Sequence, residues 1–83
     1  MKQINMIKCT ITSADNNTVY ENVKGVSLPA FSGQLEILSG HAEAFITLVA
    51  GAVTIHQTTG EPKTITIVDG QCHVKDDELV IIL

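Results

Sequence analysis

Ile7, Cys9 and Ile11 alternate with Lys8, Thr10 and Thr12. Successive side chains of an extended chain point to opposite faces, so this pattern predicts a half-buried strand with one apolar row. Asp15, Asn16 and Asn17 follow, and their short polar side chains bond to nearby backbone, which makes them a turn. A second extended segment runs from Thr18 to Pro29 with Val26 and Leu28 on one side. Gly25 in its interior marks a bulge or bend. Phe31 to Gly33 reverses the chain, and Leu35 and Ile37 carry a short strand into the corner Ser39-Gly40-His41. Ala44 to Val49 then reads apolar throughout. That run is too short for a helix and predicts a buried strand.

The second half alternates more regularly. Val53 and Ile55 exchange with Thr54 and His56, Thr59-Gly60-Glu61-Pro62 connects, and Ile65 and Ile67 exchange with Thr64 and Thr66, which predicts a hairpin. Asp69-Gly70 leads to Cys72 and Val74, alternating with His73 and Lys75, and Asp76-Asp77 turns into ELVIIL. Short strands with turn signals about every 8 to 12 residues predict an all-β fold, a small antiparallel β-sandwich or flattened barrel. The expectation is a single domain over residues 1–83. The apolar members of each alternating pair form its predicted core: Ile7, Cys9, Ile11, Val26, Leu28, Leu35 and Ile37 from the first half, Val53, Ile55, Ile65, Ile67, Cys72 and Val74 from the second.

Composition narrows the function. Only Tyr20, Phe31 and Phe45 are aromatic within a 45% hydrophobic chain, so Val, Ile and Leu must fill the core, as β-rich proteins do. Nine acids against five bases leave a net charge of -4, with no basic cluster or aromatic platform to hold phosphates or stack bases. No nucleic-acid partner is expected. No apolar run approaches the roughly 18 to 20 residues that span a bilayer, and the opening MKQINMIKC lacks a signal-peptide core. These features predict a soluble, cytoplasmic chain. Cys9 and Cys72 sit inside alternating patterns, where a thiol serves as a small buried hydrophobe rather than half of a disulfide.

Candidate chemistry is sparse. His41 admits three readings: a catalytic base, a partner contact, or a ring that fixes the corner after Gly40. A base needs an oriented partner and a nucleophile within hydrogen-bond reach, and no spacing here assembles them. The other two readings stay open. Cys9, Cys72, His41, His56 and His73 are zinc-type ligands, but Cys72 and His73 are neighbours on a strand and face opposite ways, and no Cys-x-x-Cys or His-x-x-x-His pair occurs. Asp76, Asp77 and Glu78 lack the spacing of a calcium loop and read as a solvated turn. The six glycines never cluster into a phosphate cradle. No catalytic residue, metal or cofactor is expected.

The stretch GQLEILSGHAEAFITLVAG, Gly33 to Gly51, has a spacing that no local structural rule requires. It resembles the epsilon subunit of rotary F-type ATP synthases, whose members read GELGILPGHAPLLT here. Gly33, Leu35, Ile37, Leu38, Gly40, His41 and Ala42 match. The likeness runs without gaps from IKCTITSA to DGQCHVKDDELVIIL. It implies a two-sheet β-sandwich that works as a non-catalytic central-stalk subunit, with the gamma subunit and the c-ring as partners. Its membrane contact is then only indirect, through a complex on the cytoplasmic face of a bacterial inner membrane. The rotor-ring contact corresponds to Phe31, Ser32, Gly33 and Gln34, where Gln34 replaces a usual Glu. His41, with Ser39, Gly40 and Glu43 around it, and Ser13 correspond to gamma contacts. The resemblance sets the Phe31 turn and the His41 corner at one rotor-facing end.

The chain also departs from that pattern. Glu36 stands for Gly, Ser39 and Glu43 for the two prolines around Gly-His-Ala, and Ala50 for the proline before Gly51. Each lost proline loosens a turn, at a cost of about 0.4 to 1 kcal/mol. Family members continue into a C-terminal helical hairpin that carries their inhibitory and ATP-binding functions, whereas this sequence stops at Leu83. Opening on Met1, it reads as a short natural form, expected neither to inhibit by helix insertion nor to bind ATP. Two rivals remain: a free-standing small β-barrel that binds a ligand or metal, and a small hydrolase built around His41. Both need a pocket with converging polar groups, while a stalk subunit needs exposed, partner-sized surfaces.

Overall fold

Eight strands follow one another in a computed structural model that describes residues 6–83. They are β1 (Ile7–Thr12), β2 (Asn17–Ala30), β3 (Gly33–Leu38), β4 (Ala44–Leu48), β5 (Gly51–Gln57), β6 (Lys63–Ile67), β7 (Gly70–Lys75) and β8 (Glu78–Ile82). The opening MKQIN, part of the segment read as lacking a signal core, lies outside the described residues.

The long strand β2 organises the rest. Its first half, Asn17 to Val23, pairs with β1, and its second half pairs with β3 on one side and β5 on the other. The changeover falls where the β5 register shifts between Val23 and Gly25, next to Asn22 with φ 57. This is the bulge expected around Gly25, and the extra twist of a bulge lets one strand serve two halves of the fold. From β1 the ladder runs through β8, β7 and β4, and β4 returns to β2 at Ala30 and Leu48. The sheet therefore closes on itself, with β3, β5 and β6 extending it. Pairing among the described strands is antiparallel except between β1 and β8, which run parallel with Cys9 opposite Leu79.

Closure puts one face of every strand inside. Cys9, Val26, Ile37, Leu48, Ile55, Ile67, Val74 and Leu79, one from each strand, belong to a single apolar cluster. Removing a side chain of this kind from water contributes about 1.5–3 kcal/mol. Every residue of the predicted core is buried except Leu35 and Ile65, which are half-buried and pack against the cluster from its rim. Val23, Ala30, Leu79 and Ile81 are buried without having been predicted, and Leu48 is buried within the run read as a buried strand. Val23 sits beside the register shift, which breaks period-2 counting, and Leu79 and Ile81 lie in a run too uniformly apolar to show its inner face.

The run Ala44 to Val49 forms a strand over Ala44–Leu48, but a one-sided one. Leu48 is buried and Ile46 half-buried, whereas Phe45 is 79% exposed. Apolar residues on both faces do not bring cover to both. The structure supplies it on the inner face, where Ile46 stands opposite Cys72.

Candidate functional site

Strand β3 separates the candidate residues into two groups. Its six residues at about 3.4 Å each hold its ends some 17 Å apart. Phe31 to Gln34 lie at its start, and Ser39 to Glu43 follow its end. The single rotor-facing end implied by the resemblance is thus two ends, because the segment between them is extended rather than folded back. Ser13 lies at the same end of the ladder as the Phe31 turn, three strands across from β4. Thr12 is level with Ile82, Ile82 with Gln71, and Gln71 with Thr47, whose carbonyl accepts the N–H of Phe31 at 2.8 Å.

At the first end, Ala30 and Gly33 pair across the two-residue turn Phe31-Ser32. Phe31 is 80% exposed, and Ser32, Gly33 and Gln34 are exposed beside it. The N–H of Val49 donates to Pro29 O at 2.9 Å, so two backbone bonds bind this turn to the end of β4. Phe31 and Phe45 flank an open groove floored by Ala30, Leu35 and Ile46. Ser13 closes its own turn, with its N–H and Oγ both donating to Asn16 O, at 2.8 and 3.4 Å. The surface on offer is an uncharged turn with one large apolar side chain.

The second end is built differently. Asp76 and Asp77, with φ 51 and 60, form the two-residue turn joining β7 to β8, where Lys75 faces Glu78. Both central residues of such a hairpin turn need positive φ, which Asp tolerates better than most. Asp77 then reaches across to the corner. Its Oδ1 accepts the N–H of Gly40 at 2.7 Å and its Oδ2 accepts the hydroxyl of Ser39 at 3.1 Å, while its backbone carbonyl accepts the N–H of Lys8 at 3.0 Å. Gly40 has φ 86, a left-handed conformation that presents its N–H toward that carboxylate.

Beyond Gly40 the N–H of His41 donates to Leu38 O at 3.2 Å. Its ring Nδ1 lies 2.7 Å from Ala42 O, and since a carbonyl only accepts, Nδ1 carries the proton. That bond orients the ring within the corner and leaves Nε2 as its acceptor nitrogen. At the far side of the corner, Nε2 of His73 donates to Oε2 of Glu43 at 2.9 Å. Phe45 stacks on the His73 ring, centroids 4.3 Å apart and planes 3° from parallel. The bond from His73 holds the Glu43 carboxyl below the usual 4.5, with desolvation opposing it and Lys75 adding to it.

Asp77 and His73 are the residues holding the corner that sequence reasoning missed. They lie 37 or 38 and 30 residues from the groups they bind, so no local pattern announces them. The acidic run at Asp76 to Glu78 is accordingly more than a solvated turn. The zinc-type residues are dispersed: Cys9 and Cys72 lie in the core, and His56 sits beside Lys24, Glu36 and Leu38. Among the described residues no three His, Cys, Asp or Glu gather as a metal site. Burial pushes both thiols up to about 12, and for Cys9 the neighbouring Cys72 adds to it, so both stay neutral and unreactive.

Known proteins resemble the chain both in sequence and in fold. It is 37% identical over 60 residues to the ATP synthase epsilon chain of the Pylaiella littoralis chloroplast, covering 72% of this chain and 45% of that one. To the ATP synthase epsilon chain of Wolinella succinogenes it is 29% identical over 69 residues, covering 83% and 53%. The chain thus spans about half the length of the curated relatives it matches. A chain from the Tetrahymena thermophila mitochondrial ATP synthase, central stalk and c-ring, superposes with a TM-score of 0.81 at 13% identity, over 98% of this chain and 65% of that chain. One from the Euglena gracilis mitochondrial ATP synthase, resolved with OSCP, F1 and c-ring, gives 0.83 at 22%, over 98% and 54%. At those identities the likeness is one of fold. Residues 6–83 match the family described as ATP synthase, Delta/Epsilon chain, beta-sandwich domain, and the chain belongs to that family.

Proposed function

We propose that the protein serves as a non-catalytic central-stalk subunit of a rotary F-type ATP synthase, linking the gamma shaft to the c-ring during proton- or sodium-coupled ATP synthesis. The observation that carries this reading is the family match over residues 6–83. Two exposed ends on one rigid strand support it. A linker between two partners needs separate surfaces, and the Phe31 to Gln34 turn and the Ser39 to Glu43 corner supply them. We assign the turn to the c-ring and the corner to gamma, and Ser13 stays a candidate gamma contact at the turn's end of the ladder. Torque passes as shear between them, which closed, hydrogen-bonded sheets resist with little deformation. The subunit then sits peripherally on the membrane-bound complex, at the cytoplasmic face in a bacterium, and touches no lipid itself.

Gln34→Lys places a charge on the first end, and His41→Trp adds bulk at the second. Each is expected to reduce co-purification with the gamma and c subunits while the isolated protein keeps its melting profile. Undiminished recovery of both partners with the double variant would refute the assignment.

A further inference from the structure

We propose that the β7–β8 hairpin positions the Ser39 to Glu43 corner for its partner, with Asp77 as the positioning residue. The proposal rests on the reading of that corner as a gamma-contact surface. A five-residue connection with glycine at its second position has many conformations open to it, and its own local bonds, His41 N–H to Leu38 O and His41 Nδ1 to Ala42 O, fix only its middle. Its two ends are held from elsewhere. One carboxylate, Asp77, takes both Ser39 Oγ and Gly40 N–H, and its short 2.7 Å bond has the length of a charge-assisted one. His73, on the strand that leads into the same hairpin, takes Glu43, and Phe45 stacked on its ring limits how far that ring can turn.

The two clasps sit on one rigid frame. Lys75 faces Glu78 across the turn, and the Asp77 carbonyl is bonded to Lys8 N–H of β1, so the hairpin tip is tied to β1 as well as to its own strands. His41 lies between the clasps, and the direction of its ring follows from where they hold the chain. Asp77 does not need to touch the partner. It acts by holding Gly40 and Ser39 where His41 is presented correctly.

Two substitutions separate positioning from folding. Asp77→Gly removes both acceptor oxygens yet keeps the positive φ of the turn at no steric cost. Asp77→Asn also tolerates that φ and retains one oxygen for the Gly40 N–H. Binding of the intact protein to purified gamma subunit is measured together with hydrogen exchange at the Gly40 amide. Asp77→Gly is expected to speed exchange at Gly40 and weaken gamma binding about tenfold, the scale of one lost bond to a charged group, with Asp77→Asn returning both toward the parent values. Gamma binding unchanged in Asp77→Gly despite faster Gly40 exchange overturns the proposal, as does Gly40 exchange left unaltered. A parent protein that fails to bind gamma at all overturns the functional reading instead, while the Gly40 measurement still decides whether Asp77 holds the corner.

Discussion

Two connections of equal length, residues 39–43 between β3 and β4 and residues 58–62 between β5 and β6, hold their shapes by different means. The second is organised by its own residues. Gly60 takes φ 85 and Pro62 restricts the return, and the only outside bonds found for it among the described residues are at its base, Thr58 N–H to Asn22 O at 3.2 Å and Gln57 Nε2 to Glu21 O at 3.1 Å. The first is organised by Asp77 and His73, which belong to another hairpin. A loop encoded locally can be read from its own residues and altered alone. A loop held by remote side chains inherits its geometry from another part of the fold, and changes there will reach it.

The largest expected effects test whether both connections stand on equal foundations. Ile37 in β3 and Ile55 in β5 are buried at 1% and 0% exposure. Truncating either to alanine is expected to cost about 2–5 kcal/mol in urea unfolding. A cost for Ile37→Ala well below that of Ile55→Ala would mean that the corner rests on a weaker base than the hairpin, and the contrast would then lie in the core rather than in the loops. Next comes Asp77→Ala, which removes two acceptors and forces alanine into φ 60. A loss of about 2–3 kcal/mol is expected, part from the bonds and part from the left-handed backbone.

Gly60→Ala probes the hairpin in isolation. A Cβ there meets nothing within 4 Å, so the penalty is conformational, about 1 kcal/mol, with hydrogen exchange altered only in β5 and β6. Spread of that change to β3 or β4 would erase the distinction between the two connections. The smallest effect is a pH dependence confined to the corner. Glu43 titrates below 4.5 in the folded protein, so folding favours its ionised form. The stability this contributes is complete above pH 4.5 and is lost as pH falls through the lower folded value. Glu43→Gln should flatten that part of the acid melting curve and, at neutral pH, where the Glu43 contribution is complete, lower stability slightly without adding any slope.

How legible these features were in the sequence follows the same division. Alternation announced the strands and nearly all the core because strand burial is a rule about neighbours two apart. It placed the hairpin from Val53 to Ile67 correctly because the turn residues lie between the two alternating runs. It failed at Phe45, whose apolar run concealed a one-sided strand, and at Val23, displaced by a register shift. The family motif pointed to the corner through Gly40 and His41 but not to what holds it. Ser39 and Glu43, read as lost prolines and a looser turn, are the two side chains that accept or donate the clasps. Nothing in the residues near them says that Asp77 and His73 come to rest alongside.

The parallel pairing of β1 with β8 has a consequence for the order of events during synthesis. Cys9 is level with Leu79 and Ile11 with Ile81, so each waits for a neighbour made about 70 residues later. At roughly 5–20 residues per second the ribosome takes several seconds to supply it. Through that interval β1 can pair with β2 but keeps one edge open, with its apolar row uncovered. Folding of this domain is therefore expected to complete only once β8 has been made, and refolding from denaturant should be slow, on the ms–s scale of folds built from distant pairings.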